Sequence, residues 1–413
     1  MDLGRVAAER QGKMNAVGIV SEYNPFHFGH LFHLEKIRKI EGEDTLILCA
    51  LSGDFVQRGE PAVFSKYARA EMAVRCGADL VAELPAIWSL QSAEGFSEAA
   101  VSILYRMGAT ALSCGVESVE EQEAEAIASL LLSSEFERKM KERILAAPEE
   151  AYAFVREETL RSYIGERTDI LRNPNDILAL EYRKSILKHS YPMRFLPVKR
   201  TGSAHDSISE GTVRSAFDIR NMLSGGKDIS PFLPEESCRI MKRETEALRG
   251  PVFLNNLEQA LLARLRSITA EDVLQCGDCS RELSERIIAA VHAQPYPEEV
   301  FLAAKNRKYS LSRVRRVCFC AALGIKSQMQ KTQPPYIRIL AANEKGCQWL
   351  KERKKTAPGL PFLMKPADVR LIGRECKCAM ELSSKIHDFY ALSYRSREDR
   401  VCGMDYRESP KIL

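Results

Sequence analysis

The chain has 413 residues, 45% of them apolar and 28% charged, with a net charge of +4. That length is too great for one ordinary core and predicts two or three domains of a soluble globular protein. No apolar run reaches transmembrane length, and the small net charge neither demands nor excludes a nucleic-acid partner.

Residues 1–13 (MDLGRVAAERQGK) lack the apolar core of a signal peptide and read as a disordered extension, so a cytoplasmic location is expected. Without a secretion signal, disulfides are not expected among the twelve cysteines. Cys276 and Cys279 form a C-x-x-C pair, but no second pair follows at zinc-finger spacing, so no structural metal is expected.

The apolar run 16–20 (AVGIV) predicts a buried strand, and Ser21 to Pro25 a turn, because Pro25 cannot continue a central strand. His27, Gly29 and His30 then open a helix whose apolar positions Leu31, Leu34 and Ile37 recur at helical spacing. A strand, a tight turn and a helix start form a ready anion site, since the helix dipole is positive there. Two imidazoles on that first turn, with a glycine between them and His33 following, suit a polyphosphate whose charge grows at a leaving group. His27 and His30 are the catalytic candidates.

A second buried strand, 45–51, ends at Ser52-Gly53-Asp54, and functional side chains in open α/β sheets cluster beyond such ends. Ser52, Asp54, Gln57, Arg58 and Lys66 are substrate-loop candidates, with Arg58 and Lys66 placed to meet phosphate or RNA charge. Strands at 79–84 and 109–114, a helix over 95–107, and Gly115 at a strand end extend a parallel α/β pattern. Residues 118–167 read as an amphipathic helical insertion. Asn173 to Asp176 start a further helix, where Asn175 serves as a cap or meets a nucleotide. A fifth strand, 195–199, precedes Arg200 and Thr201, and 208–214 (ISEGTVR) opens another helix.

The glycine-rich stretch at 223–227 divides an α/β domain, 14–226, from a helical domain, 227–330, with a small α/β element and tail at 331–413. Basic residues crowd 305–316 around Tyr309 and recur at 351–355, a composition that suits an RNA backbone. Arg313, Arg315, Arg316, Lys351, Arg353 and Lys354 are the RNA-binding candidates. The segment 336–340 reads as a strand, and the stretch after Met404 as loose.

His27-Phe28-Gly29-His30 after a strand resembles the HxGH signature of the HIGH-type nucleotidyltransferases, whose fold is Rossmann-like and whose ligand is ATP. The longer strings EYNPFHFGH and SGDFVQRGEPAVFSKYAR are similar to the bacterial tRNA(Met) cytidine acetate ligase family. Phe28 departs from the Asn common there, at the variable position of the signature. The resemblance implies an α/β Rossmann-like parallel-sheet nucleotidyltransferase domain followed by a mainly helical C-terminal domain. It implies an ATP site made by Val20, Ser21, Glu22, Tyr23, Asn24, Pro25, Phe26, His27, Phe28, Gly29, His30, Leu31, Phe32 and His33, together with Gly115, Asn175, Arg200 and Thr201. ISEGTVR is similar to the second phosphate motif of such enzymes, which makes Arg214 a third catalytic candidate, although Glu210 is an unusual neighbour there. The implied reaction consumes ATP with Mg2+, makes acetyl-adenylate from acetate, and acetylates N4 of the wobble cytidine of elongator tRNA(Met). No membrane and no stable protein partner are implied. The alternatives are an adenylyltransferase of cofactor biosynthesis and a tRNA-binding protein without catalysis.

Overall fold

The computed structural model describes residues 15–200, 214–357 and 361–413. The extension at 1–13, Thr201 and residues 208–213 of the second motif lie outside the described residues. Among the described residues the strands are β1 (Ala16–Ser21), β2 (Leu46–Ser52), β3 (Phe55–Val56), β4 (Glu60–Pro61), β5 (Leu80–Leu84), β6 (Ala111–Val116), β7 (Arg194–Lys199), β8 (Ile337–Ala342), β9 (Phe362–Leu363) and β10 (Lys411–Ile412). Five of them form a parallel core in the order β5-β2-β1-β6-β7. The strand order reverses direction at β1, so the carboxyl ends of β1 and β6 flank a switch-point crevice of the kind that receives ligands in α/β folds.

Both faces of the sheet are covered, which is why these strands read as continuous apolar runs. Val17, Ile19, Ile47 and Cys49 turn to one side, against Leu34 and Ile37 of the Phe28–Glu41 helix and against the Lys66–Arg75 helix. Ala16, Leu46, Leu48 and Leu112 turn to the other side, against the Ala93–Met107 helix and the helical C-terminal region. Each fully buried aliphatic side chain in these two layers contributes about 1.5–3 kcal/mol. The amphipathic region 118–167 folds into helices Glu121–Leu131, Ser134–Ala146 and Tyr152–Ile164. Among the described residues, no helix is long and apolar enough to cross a membrane.

Two features depart from the sequence expectation. The strand expected at 336–340 lies at Ile337–Ala342 and adds itself antiparallel to β5, extending the central sheet rather than starting its own. The stretch after Met404 is anchored, not loose. Asp405 is 2% exposed, and β10 pairs with β8.

Candidate active site

β1 ends at Ser21, and the chain then turns sharply, with Tyr23 at φ +43°. Neighbouring segments hold the turn in place. Asn24 Oδ1 accepts the Val63 N–H at 2.8 Å. The buried Arg69 guanidinium donates to three backbone carbonyls, those of Glu22 at 2.6 Å, Phe64 at 2.9 Å and Gly53. The side chains of Tyr23 and Phe26 are buried in the core beneath the turn. Leu31 also packs against that core.

His27 caps the helix: its Nδ1 accepts the Gly29 N–H at 3.0 Å. His30 Nδ1 accepts the His27 N–H at 3.2 Å, which closes the capping box. The two rings lie 3.8 Å apart at an angle of 31°, and Tyr23 meets His30 edge-on at 4.8 Å. A neutral imidazole has one donor and one acceptor. With each Nδ1 committed as acceptor, the proton of both rings sits on Nε2. Burial, helped by the positive charge of Arg200 and Arg220, pushes His27 down to about 3. Burial also holds His30 well below the usual histidine range, and with Arg200 brings His33 down to about 4. The site therefore offers neutral Nε2–H donors at neutral pH. His33 Nε2 lies 2.8 Å from Ser113 Oγ, which fixes the helix over β6.

The far wall comes from the ends of β6 and β7. A Cβ on Gly115 would lie 3.1 Å from Arg200 Cγ, so the glycine leaves room for that side chain. Asn175 Nδ2 donates to Glu117 Oε1, which also lies 3.7 Å from Arg200 Nε. Thus His27, His30, His33, Gly115, Asn175 and Arg200 come together across the switch point. Sequence reasoning missed Arg220, whose Nη1 donates to the Asn24 carbonyl at 3.1 Å.

Other candidates are placed elsewhere. Arg214 is exposed, with its guanidinium 5.7 Å from the Phe232 ring centre; Arg220, further along the chain, is the one that reaches the histidine turn. Lys66 does not face phosphate. Its side chain is 1% exposed, and its ammonium lies 2.9 Å from Glu83, 2.8 Å from Asp405 and 3.8 Å from Asp54. Asp54 is equally buried: its Oδ1 accepts the Lys66 N–H and its Oδ2 lies 2.7 Å from His387 Nδ1. Ser52 is fully buried at the end of β2. Gln57 and Arg58 remain beside the histidine turn, where the Gln57 N–H donates to Glu22 Oε1 at 2.8 Å and Arg58 is exposed. Burial raises the Glu22 carboxyl above its ordinary range.

The basic clusters are less free than their composition suggests. Tyr309 is fully buried, and its hydroxyl bonds Ser280 and Glu282. Arg313 and Arg316 both pair with Asp278 at 3.1 Å, and Arg315 pairs with Glu60. The Glu344–Thr356 helix carries Lys351, Arg353 and Lys354 at the opposite end of the sheet from the histidines. It starts beside Asp79, just ahead of β5, and Arg353 donates to the Arg106 carbonyl near the start of β6. Among the described residues, no group of three or more His, Cys, Asp or Glu side chains is placed to hold a metal ion.

Residues 14–403 match the family model described as HIGH Nucleotidyl Transferase. The tRNA(Met) cytidine acetate ligase of Thermosipho africanus is 33% identical, over 96% of this chain and 99% of its own length. That of Acetivibrio thermocellus is 31% identical, over 97% and 100%. The crystal structure of Thermotoga maritima TmcAL bound with alpha-thio ATP superposes with a TM-score of 0.89 at 30% identity, covering 97% of this chain and all of that one. The apo form gives 0.90. With a family model matched over residues 14–403 and full-length relatives at 31–33% identity, the chain belongs to the HIGH nucleotidyltransferase family and, within it, to the tRNA(Met) cytidine acetate ligases.

Proposed function

We propose that the protein uses ATP to activate acetate and transfers the acetyl group to elongator tRNA(Met), on N4 of the wobble cytidine. An acetate oxygen attacks the α-phosphorus, pyrophosphate leaves, and acetyl-adenylate forms. The exocyclic amine of the cytidine then attacks the acetyl carbonyl. AMP departs, and the amine gives up a proton. No side-chain nucleophile is needed in either step. His27 and His30 donate from Nε2 to the phosphate oxygens as charge moves toward the leaving pyrophosphate, supported by the helix dipole. Arg200 and Arg220 add positive charge, and Arg69 keeps the turn in register through its carbonyl contacts.

The carboxylates beside the turn do not form a metal cage: Glu22 is taken by Gln57, and Glu117 by Asn175. Magnesium is therefore proposed to arrive with the triphosphate, and no step is assigned to it.

The observation that carries this reading is the pair of imidazoles whose Nδ1 atoms are both held by backbone N–H groups at the start of the helix. The test is acetate-dependent exchange of labelled pyrophosphate into ATP. His30→Ala is expected to lower exchange roughly 10²–10³-fold, the usual cost of one oxyanion donor, with tRNA affinity unchanged. Exchange that ignores acetate, or a parallel loss of tRNA affinity, overturns the reading.

A further inference from the structure

The β3–β4 hairpin separates the nucleotide turn from a second concavity, and at Gln57 the partition is one residue thick. On one side the Gln57 N–H meets Glu22; on the other its side-chain amide donates to the Gln91 carbonyl at 3.1 Å. Two residues on, Gly59 has φ +73° and lies so close to the next element that a Cβ would sit 2.7 Å from Arg316 N. Gln91 and Arg316 line a cavity of about 390 Å³ together with Ser92, Asp278, Gln330 and Lys331. Arg58, between Gln57 and Gly59, belongs to the same hairpin, and its positive charge also reaches Glu22 on the other side.

Charge and size narrow the occupant. The one carboxylate there, Asp278, already faces two guanidiniums, those of Arg313 and Arg316. Lys331 and Arg58 are exposed and have no ion-pair partner among the described residues. The rim is therefore positive. The volume lies near the lower end of the roughly 300–1,000 Å³ range of small-ligand sites, which suits one nucleotide. No aromatic ring lines the cavity, so a base there is held by hydrogen bonds at its edge, not by stacking.

We propose that this cavity receives one unpaired nucleotide of the RNA substrate, beside the base that is acetylated. Arg58 and Lys331 hold its phosphate, while Ser92 and Asp278 meet its base edge. The proposal rests on the RNA-acetylating reading above and adds to it a place where the RNA is gripped and read.

The test uses the full-length protein and an RNA hairpin carrying the anticodon loop of tRNA(Met), with affinity measured at several salt concentrations. In the double variant Arg58→Ala/Lys331→Glu, affinity is expected to fall about tenfold or more, and the salt slope by about 0.7 for each phosphate no longer neutralised. Ser327→Tyr keeps every charge and fills the cavity; it is expected to weaken binding and leave the slope alone. Acetate-dependent exchange, which needs no RNA, stays within about twofold in Ser327→Tyr, less than a tenfold change of 1.4 kcal/mol. Unchanged RNA affinity in both variants, or exchange lost in step with RNA binding, overturns the proposal. Absence of exchange from the unaltered protein strikes at the adenylate reading, whereas RNA affinity alone decides the cavity.

Discussion

A neutral imidazole donates from one nitrogen only, and the backbone around His27 and His30 decides which one. Nitrogen NMR of the nucleotide-free protein should show the Nε2–H tautomer for both rings. His27 should stay uncharged down to about pH 3, and His33 to about pH 4. The linkage follows in sign. Because these folded values lie below the unfolded histidine value of about 6.5, the unfolded chain takes up protons first as pH falls. Their contribution is fully present above pH 6.5 and declines below it. Urea midpoints at pH 7 and pH 5 should therefore differ less in His33→Gln than in the unaltered protein. The histidine pair was legible in the sequence because a strand, a turn and a helix start are local signals. Arg220 was not, since no spacing rule brings the Ala216–Ser224 helix back onto Asn24. Lys66 misled for the converse reason: a lysine on a polar loop looks solvated until three distant carboxylates surround it.

At the scale of elements, continuous apolar runs and turn chemistry located the five parallel strands and the helices between them to within a few residues. What the sequence could not supply was partnership. The run ending in Leu340 has the composition of a buried strand, but nothing in it names β5 as neighbour or antiparallel as direction. The β3–β4 hairpin read as a loop for the same reason, because its order depends on contacts across the molecule with Glu22, Gln91 and Arg316. Gly59 is the pivot of that seam. Gly59→Ala forces a side chain into a positive φ and against the Arg315–Arg316 backbone, and should destabilise the protein by about 1–3 kcal/mol in urea titrations.

Across the whole molecule, Asp54, Glu83 and Asp405 face Lys66, Arg338 and His387 in a buried network. Three carboxylates balance three cations when His387 is protonated. Its neighbours favour that state: the Asp54 carboxylate outweighs burial and raises His387, while Asp54 itself is brought down to about 2 by His387 and Lys66. Removing one member strands a buried charge, so Asp405→Ala should cost about 3–5 kcal/mol of unfolding free energy. The raised His387 value makes its contribution present below pH 6.5 and lost as pH rises through the folded value. Asp54 acts in the other sense, contributing above about pH 3.8 and losing that only as pH falls toward 2. His387→Gln should therefore flatten the alkaline side of the stability profile and, by removing the main charge that lowers Asp54, also shrink the loss of stability between about pH 4 and pH 2.

The pairing of Lys66 with Asp405, 339 residues apart, has a consequence for synthesis on the ribosome. The half that carries the histidine turn emerges first, with the outer rim of β5 bare and the Lys66 ammonium facing Asp54 and Glu83 without Asp405. An open strand rim invites aggregation. Nascent chains arrested before Ile337 should therefore need chaperone shielding, and a chain truncated after 330 should collect in the insoluble fraction. Completion of translation then acts as the step that arms the enzyme.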